Sequence, residues 1–255
     1  MKVLSVFCRI LERLLERLDP IGQIYARLVE PAMGYPRDRE VLSQLRASGL
    51  GLDCARACES LYWLENRVRG KRVCIIGPEM LKPGKPPYCD ALAGPESAVL
   101  WARASGLVLD YVTGDGDLDP LMYSVALVFT RVFFKHLHGD NWWSSPPGPQ
   151  HHQDRTIIYT TQVWPHTNCI LGPLGFTDGD RAAILATAMK AKEVHLLGFS
   201  REPVATHKSA PTGFSSTKRA KLELAFKMIR EASRSMGYHF STSYIYPRSY
   251  VLEEA

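Results

Sequence analysis

The sequence has no apolar run near the ~18 residues a membrane span requires, so no membrane partner is expected. It has no Gly-x-x-x-x-Gly-Lys loop and no Gly-x-Gly-x-x-Gly turn, which disfavours a P-loop and the usual dinucleotide fingerprint. It also lacks Gly-x-Ser-x-Gly and any telling Cys/His spacing, so nothing points to a covalent nucleophile. Charge of one sign is not in strong excess. A net +5 over 255 residues suits an anionic substrate and is too weak to imply nucleic acid. The six cysteines (Cys8, Cys54, Cys58, Cys74, Cys89 and Cys169) form no zinc spacing and read as buried free thiols of a reducing compartment. Arg9, Glu12, Arg13, Glu16 and Arg17 interrupt the first apolar positions, so a signal peptide is not expected and a cytoplasmic protein is.

What is present is a change of period along the chain. Residues 3–18 place Val3, Phe7, Ile10, Leu11, Leu14, Leu15 and Leu18 on one helical face, with Asp19-Pro20 as the expected stop. That face is expected to pack on the domain or on a second subunit, as in a homodimer. Further helices are expected at about 38–47 and 52–68, which makes residues 1–68 a helical N-terminal segment. From residue 69 to 255 strands and helices alternate. Arg72-Val-Cys-Ile-Ile-Gly77 reads as a buried strand, and further strands are expected at 107–113, 131–138, 156–163, 193–198 and 243–246. Helices fall at about 95–105, 120–129, 178–190 and 216–235. This pattern predicts an α/β fold, Rossmann-like, with a mostly parallel sheet covered on both faces.

In such sheets ligands bind beyond the carboxyl ends of the strands. Polar residues gather at those places. Thr113-Gly-Asp-Gly-Asp-Leu-Asp-Pro120 sets Asp115, Asp117 and Asp119 just after an apolar strand. Adjacent like charges raise one another's pKa, and a fold tolerates them mainly where a cation neutralises them. Oxygen-only ligands suit Mg²⁺ shared with a nucleotide's phosphates, whereas a solvated Asp/Gly turn is the plain alternative. Other strand ends carry Gly77, then Asp140 and Asn141, then Thr161 and Gln162. His136 and His138 face one side of a strand, but no further ligand at metal spacing completes a zinc site.

Gly175-Phe-Thr-Asp-Gly-Asp-Arg181 opens a helix. Thr177 and Asp180 have capping-box spacing, which accounts for part of it. Asp178 and Arg181 add a mixture suited to metal and phosphate. Lys208, and Lys218 with Lys221 in the first turns of the last long helix, are expected anion contacts or a solvated surface.

Together these motifs resemble the archaeal 6-hydroxymethyl-7,8-dihydropterin diphosphokinase family, whose sheet is similar to that of thiamine pyrophosphokinase. The resemblance rests on Val112-Thr through Asp117-Leu-Asp119, His136-Leu-His-Gly-Asp-Asn141, Thr160-Thr-Gln162 and Gly175-Phe-Thr-Asp-Gly-Asp-Arg181. It implies transfer of diphosphate from ATP to a reduced hydroxymethyl pterin, with release of AMP, in pterin or folate-type cofactor biosynthesis. It implies Mg²⁺ on Asp117 and Asp119, with Asp140 and Asp180 as further ligands. Arg181 and the lysines would take phosphate, and Gly77, Asn141, Thr161, Gln162, Thr177 and Asp178 would border the nucleotide. Within the acidic stretch the family pattern favours Asp117 and Asp119 over Asp115. A thiamine or other alcohol pyrophosphokinase, a metal-dependent nucleotide-sugar transferase and a non-enzymatic nucleotide-binding or assembly protein are the competing readings.

Overall fold

The computed structural model describes residues 8–34, 37–48, 52–80, 82–86, 88–116, 120–139, 151–152, 155–163, 169–199, 216–243 and 249–254. Four helices come first: α1 (Arg9–Leu28), α2 (Glu30–Met33), α3 (Arg37–Ser48) and α4 (Cys54–Val68). The alternating part contains β1 (Arg72–Ile76), β2 (Ala91–Pro95), α5 (Ala98–Ala104), β3 (Leu109–Gly114), α6 (Pro120–Val128) and β4 (Thr130–His136). It continues with β5 (His151–His152), β6 (Arg155–Thr160), α7 (Asp178–Ala188), β7 (Glu193–Leu197) and α8 (Ser216–Ser235). A hairpin of β8 (Tyr238–Ser243) and β9 (Ser249–Glu254) closes the order.

All nine strands form one sheet, in the order β5-β6-β4-β3-β2-β1-β7-β9-β8. The six strands from β6 to β7 run parallel, and only β5, β8 and β9 pair antiparallel. The chain is therefore the expected α/β protein with a mostly parallel sheet. Alternation along each strand feeds two cores. Val73 and Ile75 enter the cluster with α1, α4, α7 and α8, while Cys74 and Ile76 enter the cluster with α5 and α6. The N-terminal helices thus share a core with the sheet they cover.

Four expectations need correction. Helix α1 does not stop at Asp19-Pro20; it runs to Leu28 with Pro20 inside. An interior proline costs about 3 kcal/mol. The apolar stripe continues past it through Ile21, Ile24 and Tyr25, all buried, and each such burial contributes roughly 1.5–3 kcal/mol. Packing therefore outweighs the local cost. The same burial seats this face on the domain, one of the two placements expected for it. Second, β2 falls where no element is expected, between the strand at 72–76 and the helix expected from about 95. Pro95, placed at the helix start by the sequence pattern, is the strand's last residue and lies opposite Thr113 of β3. Third, the C-terminal strand is a two-stranded hairpin; of the expected 243–246 strand only Ser243 is described, as the end of β8. Fourth, the cysteines are not free. All six pair, as Cys8–Cys58, Cys54–Cys169 and Cys74–Cys89. Sequence spacing could not show this, since each pair joins elements that meet only in the fold. Among the described residues no helix is long and apolar enough to cross a membrane.

Candidate functional site

The carboxyl ends of the parallel strands converge beside the start of α7. Two hydroxyls of β3 anchor that helix: Tyr111 donates to the Ala182 carbonyl at 2.6 Å, and Thr113 donates to the Asp178 carbonyl at 2.6 Å. The helix start is fixed by the capping box that the sequence shows, with Thr177 and Asp180 as its two members. Asp180 Oδ1 accepts from the Phe176 and Thr177 N–H groups at 3.0 and 2.8 Å. Asp178 is thereby held over the end of β3.

Three carboxylates meet there. One oxygen each from Glu96, Asp115 and Asp178 lie within 4.8 Å of one another. Glu96 follows β2, and Asp115 follows β3. Gly114 allows the approach, because a Cβ on it would sit 2.7 Å from Glu96 Oε2. Beneath them Lys135 of β4 is fully buried, with its ammonium 5.4 Å from the Tyr123 ring centroid. Burial lowers the Lys135 pKa to about 8, and the charges of Glu96 and Asp115 oppose that fall.

A cavity of about 470 Å³ opens above the acids. Asp115, His138, Thr177 and Asp178 form one side, with Gln162, Phe176 and Arg181 behind. Arg39 and Glu40 of α3 and Lys221 of α8 form the rest. Helix α3 is pinned to the loop after β4 by two bonds. Ser43 Oγ donates to the His138 carbonyl at 2.9 Å, and Glu40 Oε1 accepts from Gly139 N–H at 3.1 Å. His138 Nε2 stands 4.0 Å from Asp115 Oδ2. His136 lies deeper, bonded to Thr160 Oγ1 at 3.0 Å. Burial holds its pKa well below the usual value, and Arg181 and His138 push the same way, so it stays neutral.

The expected residues divide into three groups. Gln162, Thr177, Asp178, Arg181 and Lys221 line the one cavity. Asp117, Asp119, Asp140, Asn141 and Lys208 lie outside the described residues. The others are occupied elsewhere. Gly77 gives its N–H to the Leu197 carbonyl at 2.7 Å, and a Cβ there would meet the Gly198 carbonyl oxygen at 2.4 Å. Thr161 is buried and its N–H bonds the Leu171 carbonyl at 3.0 Å. Lys218, one turn before Lys221, is not among the described cavity residues. Asp180, expected as a metal ligand, is buried with Oδ1 spent on the cap, and the acid that joins Asp115 is its neighbour Asp178. Burial pushes the Asp180 pKa up to about 7 against the opposing pull of Arg181 and the two backbone bonds. Arg181 is buried as well, donating to Asp178 Oδ1 at 2.9 Å and to the Phe176 carbonyl at 2.7 Å. It braces Asp178 as much as it faces the cavity.

Sequence reasoning missed Glu96, Arg39 and Glu40. Glu96 follows β2, a strand the sequence pattern did not announce. Arg39 and Glu40 belong to a helix that nothing in the sequence ties to the sheet. Lys135 was visible as a lone cation in the apolar run of β4.

The fold and site define an α/β protein with an acid-lined, cation-flanked cleft at the strand ends. No known protein-family profile matches the chain. A 6-hydroxymethyl-7,8-dihydropterin pyrophosphokinase of Methanothermobacter thermautotrophicus is 38% identical over 106 residues, 38% of this chain and 44% of that protein. The match thus spans less than half the length of that relative.

Proposed function

We propose that the protein transfers diphosphate from ATP to the hydroxymethyl group of 6-hydroxymethyl-7,8-dihydropterin and releases AMP. One observation carries the reading: three carboxylates converge at the strand ends, and two of them, Asp115 and Asp178, line one cavity together with Arg39 and Lys221. That polarity suits a metal-bound polyphosphate, with cation on one side and unshielded phosphate oxygens on the other. The partial likeness to a pterin pyrophosphokinase supports the choice of acceptor.

The acid cluster fits Mg²⁺ in kind. Three carboxylate oxygens within 4.8 Å of one another are the ligand type this ion takes, and water would complete its shell. Glu96, Asp115 and Asp178 would hold the ion, joined by Asp117, Asp119 or Asp140. When bound, it supplies neutralisation of the β- and γ-phosphate charge. The chain's own groups do the rest. Arg39 and Lys221 take phosphate oxygens outside the metal's reach. Arg181 keeps Asp178 in place. The substrate oxygen bonds to the β-phosphorus as the bridge to the α-phosphate breaks, and AMP leaves with the bridging oxygen. His138 Nε2 at the cavity wall is the group we assign to accept the hydroxyl proton.

The test is chromatographic. AMP should form from ATP only when both the hydroxymethyl pterin and Mg²⁺ are present. ADP as product overturns diphosphate transfer, and AMP formed only with thiamine or another alcohol overturns the acceptor. Calorimetric binding of a nucleotide sugar without pterin turnover would favour the sugar-transferase reading.

A further inference from the structure

A second cavity of about 240 Å³ adjoins the first and is walled mainly by the N-terminal helices. Asp19, Gly22 and Ala26 come from α1, Glu30 from α2 and Arg37 from α3. Gln162 lines both cavities. Its amide is oriented, because Oε1 accepts from the Tyr25 hydroxyl at 2.7 Å, which turns Nε2 toward the Phe176 carbonyl 3.5 Å away. Tyr25 also meets the Phe176 ring edge-on at 6.4 Å. The first cavity, the second and helix α1 are therefore joined at one fixed residue.

The walls are polar and small. Glu30 is paired with Arg37 at 3.4 Å. Asp19 makes no hydrogen bond or ion pair among the described residues and is half-buried beside them. A carboxylate in that state accepts two parallel N–H donors well. The volume is below the roughly 300 Å³ where drug-sized ligands begin, so it suits one small ring system and not a nucleotide.

We propose that this second cavity holds the ring of the acceptor. Asp19 accepts the adjacent ring N–H and amino group of a 2-amino-4-oxo heterocycle, and the hydroxymethyl group reaches past Gln162 toward the phosphates. The assignment rests on the diphosphotransferase reading. It makes α1 and α2 the specificity element, while phosphate is handled by the strand-end acids together with Arg39 and Lys221. A phosphate-only role for the helices would leave Asp19, a negative group, on the wrong side.

The experiment compares wild type with Asp19→Asn and Asp19→Glu. Asp19 is half-exposed and uncommitted, so the isosteric change leaves the fold intact. The KM for the hydroxymethyl pterin should rise on the order of tenfold or more in Asp19→Asn, the size of a lost charge-assisted contact. The KM for ATP should stay within twofold, and Asp19→Glu should recover part of the loss. Titration of 6-hydroxymethylpterin fluorescence, without ATP or metal, should show the same weakening. Wild-type AMP release with Asp19→Asn indistinguishable in pterin KM and in the titration overturns the subsite and leaves the proposed reaction standing. Pterin binding that Asp19→Asn weakens, without AMP release by wild type, overturns the reaction and leaves the ring site. A wild type that neither binds the pterin nor releases AMP overturns both.

Discussion

Replacing Gly114 with alanine tests the acid cluster through packing alone. The residue ends β3 in a backbone region open to alanine, so the change adds one methyl without forcing the main chain. That methyl would sit 2.7 Å from Glu96 Oε2, 2.8 Å from its Cβ and 2.9 Å from its Cδ. Ordinary contact begins near 3.4 Å, so the Glu96 side chain must recede by roughly 0.6 Å. Overpacking of this size costs about 1–3 kcal/mol in stability. Displacing one ligand of three by a similar distance should lower kcat/KM by tenfold or more, since a 1 Å misplacement can cost about a hundredfold. The assay is AMP release as a function of Mg²⁺ concentration, with thermal unfolding measured alongside. Gly114→Ala should need more Mg²⁺ for half-maximal rate and should gain less thermal stability from added Mg²⁺ than wild type. Glu96→Ala should show the same loss, and adding Gly114→Ala to it should change the rate little, because the carboxylate to be displaced is gone. If both single variants keep wild-type Mg²⁺ dependence, Glu96 does not hold the metal and the cluster is a by-product of the fold.

Lys135→Met should make the metal-free protein less stable and enlarge the stabilisation from Mg²⁺, because Glu96 and Asp115 lose their internal counter-charge. Unfolding midpoints with and without Mg²⁺ read this, and a smaller Mg²⁺ gain than wild type refutes it. Reduction should cost substantial stability. The Cys8–Cys58 and Cys54–Cys169 bridges close 50- and 115-residue separations, for which the chain-entropy account gives about 4–5 kcal/mol each. Thiol titration of the native protein should find none free, and a reductant that leaves the melting temperature unchanged would contradict this. Glu193 accepts from Arg72 Nε at 2.7 Å and pairs with His195, and these bonds, that of Arg72 foremost, pull its pKa down to about 2 from 4.5. A depressed acid contributes stability above pH 4.5 and loses it as pH falls toward 2. Glu193→Gln should flatten the urea midpoint across that window, and an unchanged slope would refute the pairing.

The architecture was legible because parallel strands buried on both faces leave unmistakable apolar runs, and Arg72–Ile76 and Glu193–Leu197 are of that kind. Elements were lost where local chemistry contradicted tertiary context. Ala91–Pro95 is a strand by virtue of the two neighbouring strands that pair with it, and Pro20 reads as a stop until the buried residues after it are counted. The site was legible in kind and less so in detail. Strand-end acids and a capping box announce themselves, but which carboxylates converge depends on the helix start. Asp178 reaches the cluster because Tyr111 and Thr113 hold α7 there, and Asp180 turns inward because the cap requires it. The second follows from the capping-box spacing of Thr177 and Asp180; the first is not carried by spacing along the chain.

The placement of charge also explains why the site needs elements from outside the sheet. A parallel sheet delivers polar groups to one edge but cannot surround a ligand there. Here the strand ends deliver acids: Asp115 at the cavity wall and Glu96 buried below it. The cations that face them come from α3 and α8, through Arg39 and Lys221. Helix α3 is fixed by bonds to the His138-Gly139 backbone, so its arginine is positioned by the same loop that follows β4. A polyphosphate bridging the two sides would therefore join the helices to the sheet, and release of its products would break that link.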